Sequence, residues 1–380
     1  NLYQYDSTAA NNLDVGGISV AEGMLPSGVN NAIRELMSHQ KDFVTGAYLA
    51  GTNNVALGNA ALDDGSLSGG NNTAVGSGAL TANTTAPDNT AIGYQSLYSN
   101  TTGNANTSIG SLSLRNNSTG AGVTAVGYNA LNANTTANFN TAMGYNALAT
   151  NTTGADNTAI GRSALALNTT ASNNTAVGKD ALVANTTGAE NTSVGMQSLD
   201  ANTTGGSNTG IGVNALTSNT TASDNTAVGR DSLQANTTGA FNTAVGKSAL
   251  NANTTAAYNT AVGYQAAYNN TTGERNTFMG YTAGANSVTG NYNVYLGSYC
   301  ADSATGSSNV AIGDVALRAC SGARNVAVGA DSMNTTTSGS DNVAVGYTSL
   351  DANLTGSYNV ALGGVALGAS ITADTNNAIG

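Results

Sequence analysis

Few side chains in this 380-residue sequence could act as catalytic bases, nucleophiles or metal ligands. His39 is the single histidine, so a Ser-His-Asp triad would have to use it, in a segment without a nucleophile elbow. Cys300 and Cys320 are either two buried thiols or a disulfide within or between chains, and one distant histidine does not complete a metal site with them. Carboxylates such as Asp180 and Glu190 are scattered, which leaves polysaccharide cleavage between assembled chains as the one enzymatic alternative. We therefore expect no enzyme, no metal and no cofactor.

The composition excludes several further classes of protein. A formal charge of −11 argues against nucleic acid, because phosphate binding requires an excess of Lys and Arg. Only 8% of the residues are charged and 48 are glycine, whereas disordered chains are usually rich in charge and proline. No run of 18 apolar residues is present, so we expect no membrane insertion, and no signal-peptide pattern follows Asn1.

One internal repeat dominates the chain from about residue 50 onward. Its anchor is Asn-Thr-Ala-Val-Gly or a close variant, and 20 anchor glycines run from Gly58 to Gly380. The period is 17 residues, with one interval of 18 and two of 16. A unit this short cannot hold a helix pair, and it cannot bury its own apolar face without stacked neighbours. The repeat predicts an all-β, parallel β-solenoid of about 20 coils.

Residues 174–190 show the unit clearly. The Thr-Ala-Val step alternates and favours a short strand, and Ala181-Leu182 suits a second one. The Asn-Thr-Thr-Gly segment at 185–188 is typical of a turn, because Asn and Thr bond to nearby backbone and Gly adopts positive φ. Each coil is therefore predicted to contain two short strands and a turn.

The strand pattern suggests which side chains are buried. Thr73 and Val75 are two apart and share one face, which we assign to the interior of the roll. The small Ala74 position then faces elsewhere and indicates close approach of another chain, while Phe278 and Tyr295 at that position require a change in packing. Because the interior is thin, we expect oligomerisation to supply the missing stability.

Asparagine recurs at two fixed places in the unit, and stacked amides can satisfy one another. The first predicted ladder contains Asn72, Asn89, Asn106, Asn140, Asn157, Asn174 and Asn191. The second contains Asn134, Asn151, Asn168, Asn185, Asn202 and Asn219.

The repeats resemble two known families. Residues 309–313 (Asn-Val-Ala-Ile-Gly) and 325–329 (Asn-Val-Ala-Val-Gly) are similar to head repeats of trimeric autotransporter adhesins, although those repeats are usually shorter. The Asn-Thr-Ala-Val-Gly form with Asn-Thr-Thr-Gly turns also resembles repeats of bacteriophage tail fibres. This resemblance implies a homotrimeric fibre of parallel β-rolls over residues 46–380.

Residues 1–45 differ in composition and form a separate predicted segment, extended at first and then helical over about 28–43. Val29, Ile33, Leu36 and Phe43 fall on a coiled-coil-like spacing, which predicts either a trimerisation helix or a single amphipathic helix packed on the first coil. Residues 21–34 (Ala-Glu-Gly-Met-Leu-Pro-Ser through Asn-Asn-Ala-Ile-Arg) resemble the N-terminal segments by which phage fibres attach to the virion. The resemblance implies a tail or baseplate protein as the partner of this segment.

Tyrosines recur directly after the anchor glycine, and a row of them could stack on sugars of a host surface glycan. They are Tyr94, Tyr128, Tyr145, Tyr264, Tyr281 and Tyr347. The sequence as a whole predicts a structural protein, the shaft of an extracellular phage tail fibre that holds a receptor-binding tip away from the virion. The alternatives are a bacterial cell-surface adhesin or filament and an ice-binding solenoid.

Overall fold

The computed structural model describes residues 14–15, 18–19, 53–64, 67–369 and 371–380. Strands β1 (Asp14–Val15) and β2 (Ile18–Ser19) pair antiparallel. The predicted helix over about 28–43, with Val29, Ile33, Leu36 and Phe43, lies outside the described residues.

Twenty further strands of three residues each follow, one in every coil. They are β3 (Val55–Leu57), β4 (Thr73–Val75), β5 (Thr90–Ile92), β6 (Thr107–Ile109), β7 (Thr124–Val126), β8 (Thr141–Met143), β9 (Thr158–Ile160), β10 (Thr175–Val177), β11 (Thr192–Val194), β12 (Thr209–Ile211), β13 (Thr226–Val228), β14 (Thr243–Val245), β15 (Thr260–Val262), β16 (Thr277–Met279), β17 (Val294–Leu296), β18 (Val310–Ile312), β19 (Val326–Val328), β20 (Val343–Val345), β21 (Val360–Leu362) and β22 (Asn377–Ile379).

The strands form one parallel sheet in which each pairs with the preceding and the following coil. Equivalent positions face each other without slippage, as Thr175 faces Thr192 and Val177 faces Val194. The sheet keeps this register through the coils of 16 residues, where Val294 faces Val310. The prediction of an all-β parallel solenoid with a period of 17 residues is confirmed, and no helix occurs among the described residues.

The predicted second strand at Ala181-Leu182 is wrong. Both residues lie in a turn, and Leu182 has a φ of 53°, which interrupts an extended conformation. The Leu182 N–H nevertheless bonds to the next coil, at 3.0 Å from the Ser198 carbonyl oxygen. The stacking of coils therefore continues outside the sheet through turn backbone.

The assignment of the strand faces is also wrong. Ala176, at the centre of β10, is fully buried, whereas Thr175 and Val177 are only partly buried. The interior leaves room for little more than a methyl group here, because a leucine from the opposite wall occupies the space. At the glycine-centred strand β12, a Cβ on Gly210 would lie 2.6 Å from Ser198 Oγ and 3.3 Å from the Leu199 side chain, both on the opposite wall. The small position thus faces the roll's own core and does not mark the approach of another chain.

The core consists of the strand-centre alanines and a column of leucines, one per coil, as at Leu165, Leu182 and Leu199. The column is interrupted at Ala267, Gly284 and Ala301, and Met333 takes one later place. Around Gly284 the rings of Phe278 and Tyr295 occupy the interior instead. A Cβ on Gly284 would overlap the Phe278 ring and lie 3.1 Å from Tyr295. The change in packing expected at these two aromatics is present. Here the large side chain extends from the strand and the small residue lies in the opposite turn, the reverse of the usual arrangement.

Each anchor glycine from Gly58 to Gly363 permits the close stacking of coils. Gly178 has a φ of 134°, and a Cβ there would lie 2.6 Å from the carbonyl oxygen of Gly195 in the next coil. Both the backbone angle and the space exclude a side chain. The glycine repeat is therefore a requirement of stacking.

Candidate interaction surfaces

Both predicted asparagine ladders are confirmed, and both are buried. In the first ladder each side-chain oxygen accepts the backbone N–H of the next asparagine. Asn174 N–H donates to Asn157 Oδ1 at 3.0 Å, and Asn157 Nδ2 donates to the carbonyl of Ala171 at 2.9 Å. At Val123 the ladder is interrupted, although the Val123 N–H still donates to Asn106 Oδ1. These asparagines satisfy backbone groups inside the roll and are not available to a ligand.

The second ladder links amide to amide. Asn151 Nδ2 donates to Asn134 Oδ1 at 3.1 Å and to the carbonyl of Gly154 at 2.9 Å. The row ends at Asn270, whose Oδ1 is buried without a hydrogen-bond partner because Ser287 takes the next place. Four coils with other residues follow before the asparagine returns at Asn353.

Cys320 takes one of these places in the second ladder, and Cys300 lies in the core of the preceding coil. Both thiols are free and buried. Burial raises the pKa of Cys300 to about 12 and that of Cys320 to about 11, so neither is a reactive thiolate at neutral pH. Of the alternatives open from the sequence, the structure has two buried thiols.

Carboxyl groups with raised pKa values lie far apart along the rod. Burial raises the pKa of Asp200, and the charge of Asp180 in the neighbouring coil adds to the effect. Burial likewise raises the pKa of Asp302 and Asp351. Within the described ranges no three His, Cys, Asp or Glu side chains converge on a possible metal site.

The outer surface of the sheet is the largest continuous feature of the molecule. We call it the strand face; it consists of the first and third side chains of every strand from β3 to β22. The first row is Thr in β4 through β16 and Val in β17 through β21. The third row is Val, Ile, Leu or Met throughout, and many of its members are exposed, including Ile160 (38%) and Met279 (47%). A flat, largely apolar surface thus runs along the whole described solenoid.

Two exposed rows border the strand face. The trailing row contains the residue two positions after each strand, and the predicted tyrosines all belong to it: Tyr94, Tyr128, Tyr145, Tyr264, Tyr281 and Tyr347. Their expected outward position is confirmed, and any glycan contact remains a prediction. Tyr128 stacks on Tyr145 with ring centroids 5.4 Å apart, and Tyr264 stacks on Tyr281 at 5.2 Å. Stacking covers one ring face of each, which leaves less surface for a sugar.

The leading row contains the residue two positions before each strand, and the sequence reasoning overlooked it. It holds the exposed aromatics Phe139, Phe241, Tyr258, Tyr292 and Tyr358. Phe241 stacks on Tyr258 at 5.1 Å, and the guanidinium of Arg275 lies 4.9 Å above the Tyr258 ring. The available signal was a second variable position, directly before the buried asparagine of each unit.

A comparison of the chain with protein-family models, curated proteins and solved structures returned no match. A search of the described residues for a helix long and apolar enough to cross a membrane found none. The interpretation of function therefore rests on the fold, its surfaces and the resemblances of the repeat.

Proposed function

We propose that the chain is the shaft of an extracellular fibre in which three parallel copies pack their strand faces around a common axis. The favoured setting is a phage tail fibre that attaches to the virion through residues 1–45 and to the host at its other end. The activity is mechanical, because a rod of stacked coils holds a binding element at a distance from the particle.

The exposed apolar strand face is the observation that carries this proposal. With about 4.8 Å between strands and three residues of about 3.3 Å each, it covers about 900 Å², of which the threonine row of β4 to β16 is the polar part. Monomeric proteins rarely expose continuous apolar patches larger than about 300–600 Å². Three such faces enclosing one axis would bury about 2,700 Å² in total, or about 900 Å² for each of the three pairs of chains. This is below the roughly 1,200–2,000 Å² of a standard two-chain interface, so the rows that border the strand face would have to add contact area.

The attachment function rests on the resemblance of residues 21–34 to phage fibre N-termini. Immunogold labelling of virions with an antibody against the solenoid tests it, since label on tail fibres is expected. A cell-surface adhesin or filament is the competing setting, and label on the bacterial envelope instead of the virion would favour it.

Light scattering tests the assembly. The full chain is expected at three times its mass of 37.4 kDa. The same measurement on a chain lacking residues 1–45 shows whether this segment initiates the trimer, in which case the mass falls to that of one chain. A monomeric full chain would overturn the proposed fibre.

One observation favours an ice-binding solenoid as the second candidate. The strand face carries threonine in one row over 13 consecutive strands, β4 to β16, at the regular strand spacing. A monomeric chain with thermal hysteresis would support this candidate, whereas a trimer covers these threonines and should show none.

A further inference from the structure

The two rows that border the strand face differ in charge over the same stretch of the rod. From β9 to β14 four of the six trailing-row residues are basic, namely Arg162, Lys179, Arg230 and Lys247, and the other two are apolar. These are four of the ten Lys and Arg residues in the chain. From β9 to β13 three of the five leading-row residues are acidic, namely Asp156, Glu190 and Asp224, and the other two are neutral and polar. Opposite edges of one flat surface thus carry opposite charge.

Closed rotational symmetry determines which residues of neighbouring chains meet. Rotation about an axis parallel to the rod places the leading edge of one strand face against the trailing edge of the next. It leaves the height of every coil unchanged, so each coil meets the same coil of its neighbour. The residue pairs at this contact can therefore be read from one chain.

The charged pairs at equal height are complementary. Asp156 and Arg162 flank β9, and Asp224 and Arg230 flank β13. Over the described coils β3 to β21 no strand is flanked by like charges in the two rows. Asp156 and Asp224 form none of the ion pairs found among the described residues, so both carboxylates are available to a neighbouring chain.

Pairs that contain an aromatic ring continue the complementarity between the two rows in the next coils, β14 to β16. Phe241 and Lys247 flank β14, and Arg275 and Tyr281 flank β16, which gives a cation and a ring at equal height in each case. Tyr258 and Tyr264, on either side of β15, supply two rings. Complementarity thus extends over successive coils in several chemical forms.

We propose that the leading row of each chain pairs with the trailing row of the next, coil by coil, and so fixes a parallel, in-register assembly. The partner is a second copy of this chain, and the pairing rests on the trimer proposed above. The strand face supplies apolar contact without distinguishing one coil from another. The leading and trailing rows determine the relative direction of the chains and their register, because an antiparallel copy would place the acidic stretch against different residues.

Ion pairs within the chain do not prevent this contact. Arg162 lies 3.4 Å from Asp180, and Arg230 lies 3.0 Å from Asp231. The two arginine side chains remain 56% and 65% exposed, and exposed pairs contribute only about 0–1 kcal/mol. A guanidinium has several N–H donors, so each can bond a second carboxylate.

Disulfide trapping in the full chain tests the pairing. In the variant D156C/R162C the two new thiols flank one strand. The ladder-paired segment between them, from Asn157 to Gly161, covers four steps of about 3.3 Å, or roughly 13 Å, which is too far for a disulfide within one chain. Cysteine is acceptable at position 156 because Ser207 occupies the equivalent place with the same positive φ. We expect a covalent three-chain species on non-reducing gels that disappears on reduction. D224C/R230C should give the same result.

The mismatched variant D156C/R230C is the control, since its thiols lie four coils apart in height. Equal cross-linking in this control, or none in the matched variants of a chain that light scattering shows to be a trimer, would overturn the edge pairing and leave the fibre intact. A disulfide dimer from D156C alone would indicate an antiparallel contact and also overturn it. A monomeric mass would instead remove the proposed fibre itself.

Discussion

The buried asparagines show how single residues hold this fold together. Asn157 accepts bonds from the Asn174 backbone N–H at 3.0 Å and from Asn174 Nδ2 at 3.2 Å, while its own amide donates to Ala171. All these groups lie inside the roll, where an unpaired donor or acceptor costs about 1–3 kcal/mol. The high asparagine content is therefore explained by backbone satisfaction between coils.

Replacing Asn157 with Ala tests this role. Asn157→Ala leaves the Asn174 N–H and the Ala171 carbonyl without their partner, and we expect a loss of about 2–4 kcal/mol in unfolding free energy. The measurement is the midpoint of denaturant unfolding followed by circular dichroism. Asn104→Ala is the matched control: its exposed side chain makes no hydrogen bond among the described residues, and the change should lie within about 0.5 kcal/mol. Equal losses in the two variants would contradict the ladder.

At the scale of the coil, packing depends on the combined side-chain volume of the strand centre and of the turn opposite it. Most coils place a small residue at the strand centre and a leucine in the opposite turn. Around Gly284 this arrangement is reversed, since Phe278 extends from the strand into the space that the leucine would fill. The exchange keeps the interior filled, which is how close-packed cores tolerate a change of residue.

A double-mutant cycle tests this exchange. Phe278→Ala alone should create a cavity and cost about 3–5 kcal/mol, and Gly284→Leu alone should clash with the Phe278 ring. The double variant F278A/G284L restores the usual pair within this coil, and the Tyr295 ring, 3.1 Å from a Cβ at position 284, must shift to admit the leucine. Leu250 already adopts a φ of 49° at the equivalent place, so the introduced leucine would meet no unusual backbone. We expect the double variant to be more stable than either single one by thermal unfolding, and additive losses would show that the two positions are independent.

As a whole, the described solenoid from β3 to β22 is a rod about 90 Å long, calculated from 19 intervals between 20 strands at about 4.8 Å. Each coil contacts only its neighbours and buries mainly alanine, leucine and asparagine. Such a rod has little apolar core to spare, and its largest apolar surface faces outward. The strand face is therefore where assembly is expected to add stability.

Charges on the strand face should separate the proposed trimer without unfolding the rolls. Val177→Lys with Val194→Lys places two ammonium groups in the outward row, where their side chains point away from the roll's own core. Light scattering should show single chains, while circular dichroism retains the β spectrum. Thr187→Lys with Thr204→Lys is the control, because these exposed turn residues lie outside the strand face. Monomers in this control as well would argue against a role for the strand face.

The repeat by itself determined the solenoid, the coil length and both asparagine ladders, because a fixed period forces equivalent residues to stack. It also placed the tyrosine row outside correctly. It could not decide which side of a three-residue strand faces inward. An alternating pattern in three residues is compatible with either face pointing inward. Which face is buried depends on the leucine on the opposite side of the core, at Leu182 and its equivalents.

Only the tertiary structure revealed the leading row, the turn at Ala181-Leu182 and the exchange between Phe278 and Gly284. The turn and the exchange depend on distances across the coil that no local pattern encodes, whereas the leading row has a sequence signal in the variable position before each buried asparagine. Positive φ values place outward residues such as Tyr258 beside the strand, where the sequence suggests an ordinary loop. The periodic pattern determines what stacks along the axis, and the shape of the cross-section decides what is inside.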